Sequence, residues 1–186
     1  MKLTKQSSFD TVVALVAGTL ARSRIRAVLT GGACATFYSA GDYKSWDLDF
    51  ILQSNVTRDQ MDAVMAGIGF HRKGDHYVHP RTRFFVEFPA GPLGIGSDIE
   101  IRPIVRRIGG TGVRTLSATD ACRDRLAAFY HWSDRQSLEA AVQIASRRRV
   151  NLTSIKNWSE REGFTDKLAE FLGSLRSTRK NKAPKR

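Results

Sequence analysis

Between Ser45 and Phe50 the chain reads Ser-Trp-Asp-Leu-Asp-Phe, and this stretch limits the fold more than any other. Successive strand side chains point to opposite faces, so Asp47 and Asp49 share one face while Leu48 and Phe50 share the other. The two acidic α-carbons would lie about 6.6 Å apart. A helix would scatter these four residues around its axis. A strand sorts them into an acidic and an apolar side. The expectation is a sheet with one face on a core and another carrying paired carboxylates. Carboxylates so placed repel each other and lose water, a cost that a divalent cation between them offsets. A solvated strand end with two acids is the plainer alternative.

The flanking sequence agrees with a sheet. Ile25 to Thr30 is a short apolar run that ends at Gly31-Gly32 and leads into a helix over Ala33 to Ser39. Glycines at a strand-to-helix turn let backbone N–H groups approach a phosphate, and a helix N-terminus favours an anion. A tight turn alone explains the same pair. Downstream, Phe84 to Phe88 alternates so that Val86 and Phe88 face the core and Glu87 faces away. An adjacent strand could bring Glu87 beside Asp47 and Asp49 as a third oxygen ligand; Glu100 is the rival.

Further elements follow from period and caps. Ser7 or Ser8 starts a helix ending near Arg22, and Thr57 starts one over Arg58 to Ile68. Strands are expected at Tyr77–His79, Thr82–Phe88, Asp98–Val105 and Val113–Leu116. After Ser117 the pattern is helical only: to about Trp132, from Ser133 to Arg148, from Asn151 to near Gly163, and from Thr165 to about Leu175. His131, Trp158, Phe164 and Phe171 are expected in the core of that half. The fold class is therefore α+β, with residues 1–116 forming a mixed sheet flanked by helices and 117–176 a C-terminal helical bundle. Residues 177–186 read as a basic disordered tail.

Charge and cysteine content narrow the function. The formal charge is +12, and five of the 30 basic residues fall in the last ten positions. Such an excess favours a polyanionic partner such as nucleic acid, or simply keeps a surface solvated. No apolar run is long enough to cross a membrane. Cys34 and Cys122 belong to no CxxC or Cys/His cluster, so reduced thiols and a cytoplasmic location are expected. His76 and His79 lack partners for zinc. No G-x-x-x-x-G-K-[S/T] run exists, and Gly91, Gly94 and Gly96 read as a flexible hairpin rather than a nucleotide loop.

Strand, Gly-Gly, helix, then Ser45-x-Asp47-Leu48-Asp49 on the next strand with a later strand acid resembles the DNA polymerase β-like nucleotidyltransferase superfamily. The helix Asp120-Ala121-Cys122-Arg123-Asp124-Arg125-Leu126-Ala127-Ala128 is similar to that of AbiEii-type enzymes of abortive-infection and toxin–antitoxin systems, and Asp134 to Glu139 adds to the likeness. Two departures stand out: Arg123 occupies the position of an expected Lys, and Glu87 that of a more usual Asp. The resemblance implies a nucleotidyltransferase fold and transfer of a nucleoside monophosphate from an NTP to a macromolecular acceptor such as tRNA. It implies two Mg²⁺ ions on Asp47, Asp49 and Glu87 as metal-binding catalytic residues. Gly31, Gly32, Ser45, Arg123 and Asp124 would bind the nucleotide. A cognate antitoxin is a further implied partner. A small-molecule nucleotidyltransferase and a non-catalytic nucleic-acid- or antitoxin-binding module are the alternatives.

Overall fold

The computed structural model describes residues 3–182. In chain order the elements are α1 (Phe9–Arg22), β1 (Ala27–Leu29), α2 (Gly31–Tyr38), β2 (Asp47–Leu52), α3 (Arg58–Ala66), β3 (His71–Lys73), β4 (His76–Val78), β5 (Phe85–Glu87), β6 (Ile104–Ile108) and β7 (Thr111–Thr115). Four helices follow: α4 (Ala118–Trp132), α5 (Arg135–Arg147), α6 (Leu152–Arg161) and α7 (Thr165–Lys182). The strands form one mixed sheet of order β3-β4-β5-β2-β1-β7-β6. β2 runs antiparallel to β1 and parallel to β5, and β1 runs parallel to β7. This is the mixed sheet flanked by helices, with a helical bundle after it, that the sequence pattern implies.

Two apolar layers enclose the sheet. Leu29, Leu48, Phe50 and Val86 project to one side, where Val12, Val16 and Leu20 of α1 and Met61 and Met65 of α3 cover them. On the other side Val28 meets Cys34, Ala35 and Tyr38 of α2, which in turn packs on α4 and α5, with α7 behind α5. The alternation of β2 thus sends its apolar residues to the α1 side and its acids to the α2 side. α2 is the hinge of the design, since it rests on β2 and on α4 and α5 alike.

Side chains set most helix starts. The hydroxyls of Ser8, Thr57 and Ser117 and the side-chain oxygens of Asp134 and Asn151 each accept a first-turn N–H. Ser133, expected as the α5 cap, instead takes a left-handed conformation (φ 54°) that ends α4. Lys167 Nζ closes that end by donating to Phe129 O at 3.1 Å and Tyr130 O at 2.6 Å.

Several expectations shift. The stretch expected as a strand over Asp98–Val105 is irregular up to Pro103, because Leu93 and Ile95 leave the sheet to join the core beneath the bundle. α7 does not stop near Leu175 but continues to Lys182, with Arg179 Nη2 donating to Ala145 O at 2.8 Å. The rest of the basic tail, 183–186, lies outside the described residues. Trp158 and Phe171 are buried, and Phe164 stacks on Tyr130 at 4.8 Å. His131 is exposed rather than in the core, because the inward positions of the last α4 turn are taken by Phe129 and Tyr130. Both cysteines are free and buried, and burial pushes their thiols up, Cys34 to about 12. Among the described residues no helix is long and apolar enough to cross a membrane.

Candidate active site

The end of β1, the start of α2 and the start of β2 meet at one point. Thr30 N donates to Asp49 O at 2.9 Å, and the chain then turns into α2 through Gly31 at φ +60°. A Cβ on Gly31 would run into the Asp49 carboxylate, and one on Gly32 would lie 2.8 Å from Ser45 Cβ. The glycines therefore do two things: they permit the left-handed turn, and they let the acids lie against the first turn of a helix. Ser45 Oγ donates to Asp47 Oδ1, and Ser45 N donates to Thr36 Oγ1 at 2.9 Å. Thr36 Oγ1 donates back to Gly32 O at 3.0 Å, fixing the approach of β2 to α2. The Thr30 side chain caps nothing, so the first N–H groups of α2 have no side-chain acceptor of the kind found at α1, α3, α4, α5 and α6.

β5 adds the third acid. The parallel register pairs Asp47 with Phe85 and Asp49 with Glu87, which sets Glu87 beside Asp49 with the same strand facing. Asp49 is pushed up to about 7, first by burial and then by the charge of Asp47, with Glu87 and Asp124 adding and Arg125 opposing. That strain in charge is what a bound cation would relieve. The donor chemistry fits Mg²⁺, which takes oxygen ligands from one or two carboxylates and completes its shell with phosphates and water. Among the described residues no three His, Cys, Asp or Glu side chains are already gathered around a single point. The fit is thus one of donor type and facing rather than of a finished cage.

The α4 residues divide in a way that the sequence reading does not anticipate. Arg123 is buried and paired with Asp98 and Asp120, with its guanidinium 4.9 Å from the Trp158 ring centre. It serves as a tie from α4 to Asp98, and the arginine whose charge acts on Asp49 is Arg125. Arg125 Nε and Nη2 donate to Asp124 Oδ2 at 3.0 and 2.8 Å, and burial works against its charge while Asp124, Tyr43 and Asp49 more than offset this. Asp124 therefore holds Arg125, not Arg123. Residues two apart on a helix are separated by about 200°, so only one of the two arginines can face the sheet. That arithmetic is the signal that would have found Arg125.

The surroundings are more acidic than the chain. Burial raises the Tyr43 hydroxyl above its usual range; Arg125 opposes this and Asp47, Asp134 and Glu139 add to it. Ser137 Oγ donates to Asp134 Oδ2 at 2.6 Å, and Arg125 Nη1 reaches Ser137 Oγ at 3.4 Å. At the outer end of β2, Trp46 is partly exposed, with the Arg83 guanidinium 3.7 Å above its ring and Phe84 behind it at 5.2 Å. Glu100, the rival acid, is exposed on the irregular segment beside Ser97 and Arg102. Of the eight expected site residues, Gly31, Gly32, Ser45, Asp47, Asp49 and Glu87 come together, Asp124 joins them through Arg125, and Arg123 does not.

Sheet order, the α2 turn and the trailing bundle define a nucleotidyltransferase fold. The same fold is seen in an antigenic nucleotidyltransferase-like protein from Paracoccidioides brasiliensis, at 17% identity over 96% of this chain and 91% of that one, with a TM-score of 0.58. The antibiotic-resistance factor ANT(2'')-Ia is matched at 14% identity over 92% of this chain and 94% of that one, with a TM-score of 0.49. No family model matches the chain, and no curated protein matches it in sequence.

Proposed function

We propose that the chain is a nucleotidyltransferase that moves a nucleoside monophosphate from an NTP to a hydroxyl on an acceptor, with Mg²⁺ as cofactor. One observation carries this reading: Asp47, Asp49 and Glu87 share a strand facing directly against the Gly31-Gly32 helix start. Asp47, Asp49 and Glu87 would hold two Mg²⁺ ions. Bound there, Mg²⁺ would neutralise the triphosphate and make the acceptor hydroxyl more acidic. The chain's own groups do the rest by position and charge, as phosphoryl chemistry requires. Gly31 and Gly32 admit the phosphates to the uncapped N–H groups of α2. Ser45 orients Asp47. Arg125, held by Asp124, sets a fixed positive charge opposite the acids.

The acceptor divides into two readings. An RNA acceptor, tRNA in particular, is favoured by the net charge and by the Arg83–Trp46 stack beside Asp47, a pairing suited to a base and its phosphate. A toxin-like role and a cognate antitoxin go with that reading. A small cationic acceptor is favoured by Asp47, Asp134 and Glu139 around Tyr43. The test is label transfer from α-³²P NTPs in Mg²⁺ to tRNA or to a polyamine-bearing sugar. Transfer is expected to one of them, and Asp47→Ala should lower it more than about 100-fold. Transfer that survives Asp47→Ala and Asp49→Ala, or none to any acceptor, would remove the enzyme reading. RNA binding unaffected by those changes would then favour a scaffold role.

A further inference from the structure

The face of the sheet that carries the acids does not end at Glu87. Directly paired residues on neighbouring strands point to the same side, so the register extends that face strand by strand. Asp49 pairs with Glu87, Glu87 with His76 on β4, and His76 with Lys73 on β3. On the same face, Asp47 pairs with Phe85, and Val78 pairs with His71. The His76 and Phe85 rings lie 5.2 Å apart, as two side chains turned to one side must. Arg72, Tyr77 and Val86 alternate to the opposite side, where Arg72 pairs with Asp62 on α3.

This outer part of the acid face is open. His71 and Lys73 are exposed and His76, Val78, Phe85 and Glu87 are half-buried, whereas Tyr77 and Val86 behind them are 5% and 0% exposed. The chief helix on these strands is α3, and it covers the buried side. Among the described residues His71, Lys73 and His76 form no ion pair. The one carboxylate of the β3–β4 hairpin, Asp75, sits in its turn. Adjacent strands are about 4.8 Å apart, so the strip runs about 14 Å from Asp49 to Lys73.

We propose that this strip is the acceptor surface and takes the single-stranded end of an RNA. A phosphate lies at Lys73 and His71, a base stacks on the Phe85–His76 pair, and the terminal hydroxyl reaches Glu87 and Asp49. A nucleic-acid strand alternates anions with flat rings, and the strip supplies cations and rings in reach of each other. A cationic sugar would meet Lys73 as a like charge. The inference rests on the nucleotidyl-transfer reading only for the contact of the hydroxyl with the acids.

Fluorescence anisotropy of a labelled short single-stranded RNA with a free terminal hydroxyl, added to the full chain in Mg²⁺ buffer without NTP, tests it. Lys73→Gln should weaken binding at least threefold and lower the salt slope by about 0.7, the share of one phosphate. Phe85→Leu should weaken binding at least fivefold through lost stacking, with the salt slope unchanged. Arg72→Gln removes the same charge from the same strand on the other side and should change binding less than twofold. A lysine kept only to guard the edge of the sheet would leave RNA binding untouched. RNA binding that is undetectable, that Lys73→Gln and Phe85→Leu leave unchanged, or that Arg72→Gln weakens equally would overturn the proposal. So would label transfer to an aminosugar and not to RNA. RNA held by the strip with no label transferred from any NTP would remove the nucleotidyl-transfer reading instead and leave the RNA surface standing.

Discussion

Asp49 and the two arginines of α4 show how single residues separate structure from chemistry. Asp49 holds its proton to about 7 in the folded chain against an ordinary 3.8. The native state therefore binds more protons than the unfolded one between these values, and stability falls as pH rises through that window, then levels off. In metal-free buffer, Asp49→Asn should melt above the parent chain at pH 8 and close to it at pH 4, with thermal unfolding as the measurement. Arg123 and Arg125 should part company in the same way. Arg123→Ala leaves Asp120 without its cation and Asp98 with Arg161 alone, and should cost about 3 kcal/mol, at the low end for a buried pair because Asp98 keeps that partner and stays 31% exposed. Below its melting range its turnover should be near normal. Arg125→Ala should lose turnover at least tenfold with a smaller loss of urea midpoint. The acids were legible in the sequence because alternation fixes a strand's facing. The arginines were not, because motif likeness names a helix but not which side of it faces the sheet.

At the scale of elements, α2 carries the site. Its first residue must be left-handed and lack a Cβ, since Asp49 occupies that space. Gly31→Ala should cost about 1–2 kcal/mol for the backbone alone and should displace Asp49, so label transfer should fall further than stability does. The Gly-Gly turn and β2 were readable from local pattern. So was Glu87, since period 2 gave its facing, although only pairing could place it in register with Asp49 rather than elsewhere on the sheet. The 98–103 segment departs from its expected strand for a physical reason: Ile99 and Ile101 alternate with Asp98, Glu100 and Arg102 as in a strand, but Leu93 and Ile95 just before them find their burial under the bundle, and among the described residues no neighbouring strand pairs with 99–103.

At the scale of the molecule, the two halves that the change of period suggests at 116/117 share a core. Val28, Cys34, Ala35 and Tyr38 from the first are buried with Cys122, Leu126 and Ala141 from the second. Tyr38 also donates its hydroxyl to Leu116 O at 2.7 Å, and Arg147 reaches back to Asp42 at 2.7 Å. A fragment of residues 1–116 should thus show no cooperative unfolding by calorimetry, and a sharp transition would contradict the shared core. Sequence periodicity marks where elements change type, which need not be where a core divides. The three tryptophans sit in three settings across this core: Trp158 at 1% exposure, Trp46 at 36% under Arg83, and Trp132 at 78%. The chain therefore carries its own optical reporters. Trp46 is the residue before Asp47, so a ligand arriving at the acids would disturb the guanidinium above its indole and register as a change in emission intensity, while Trp158 and Trp132 serve as built-in dry and wet references.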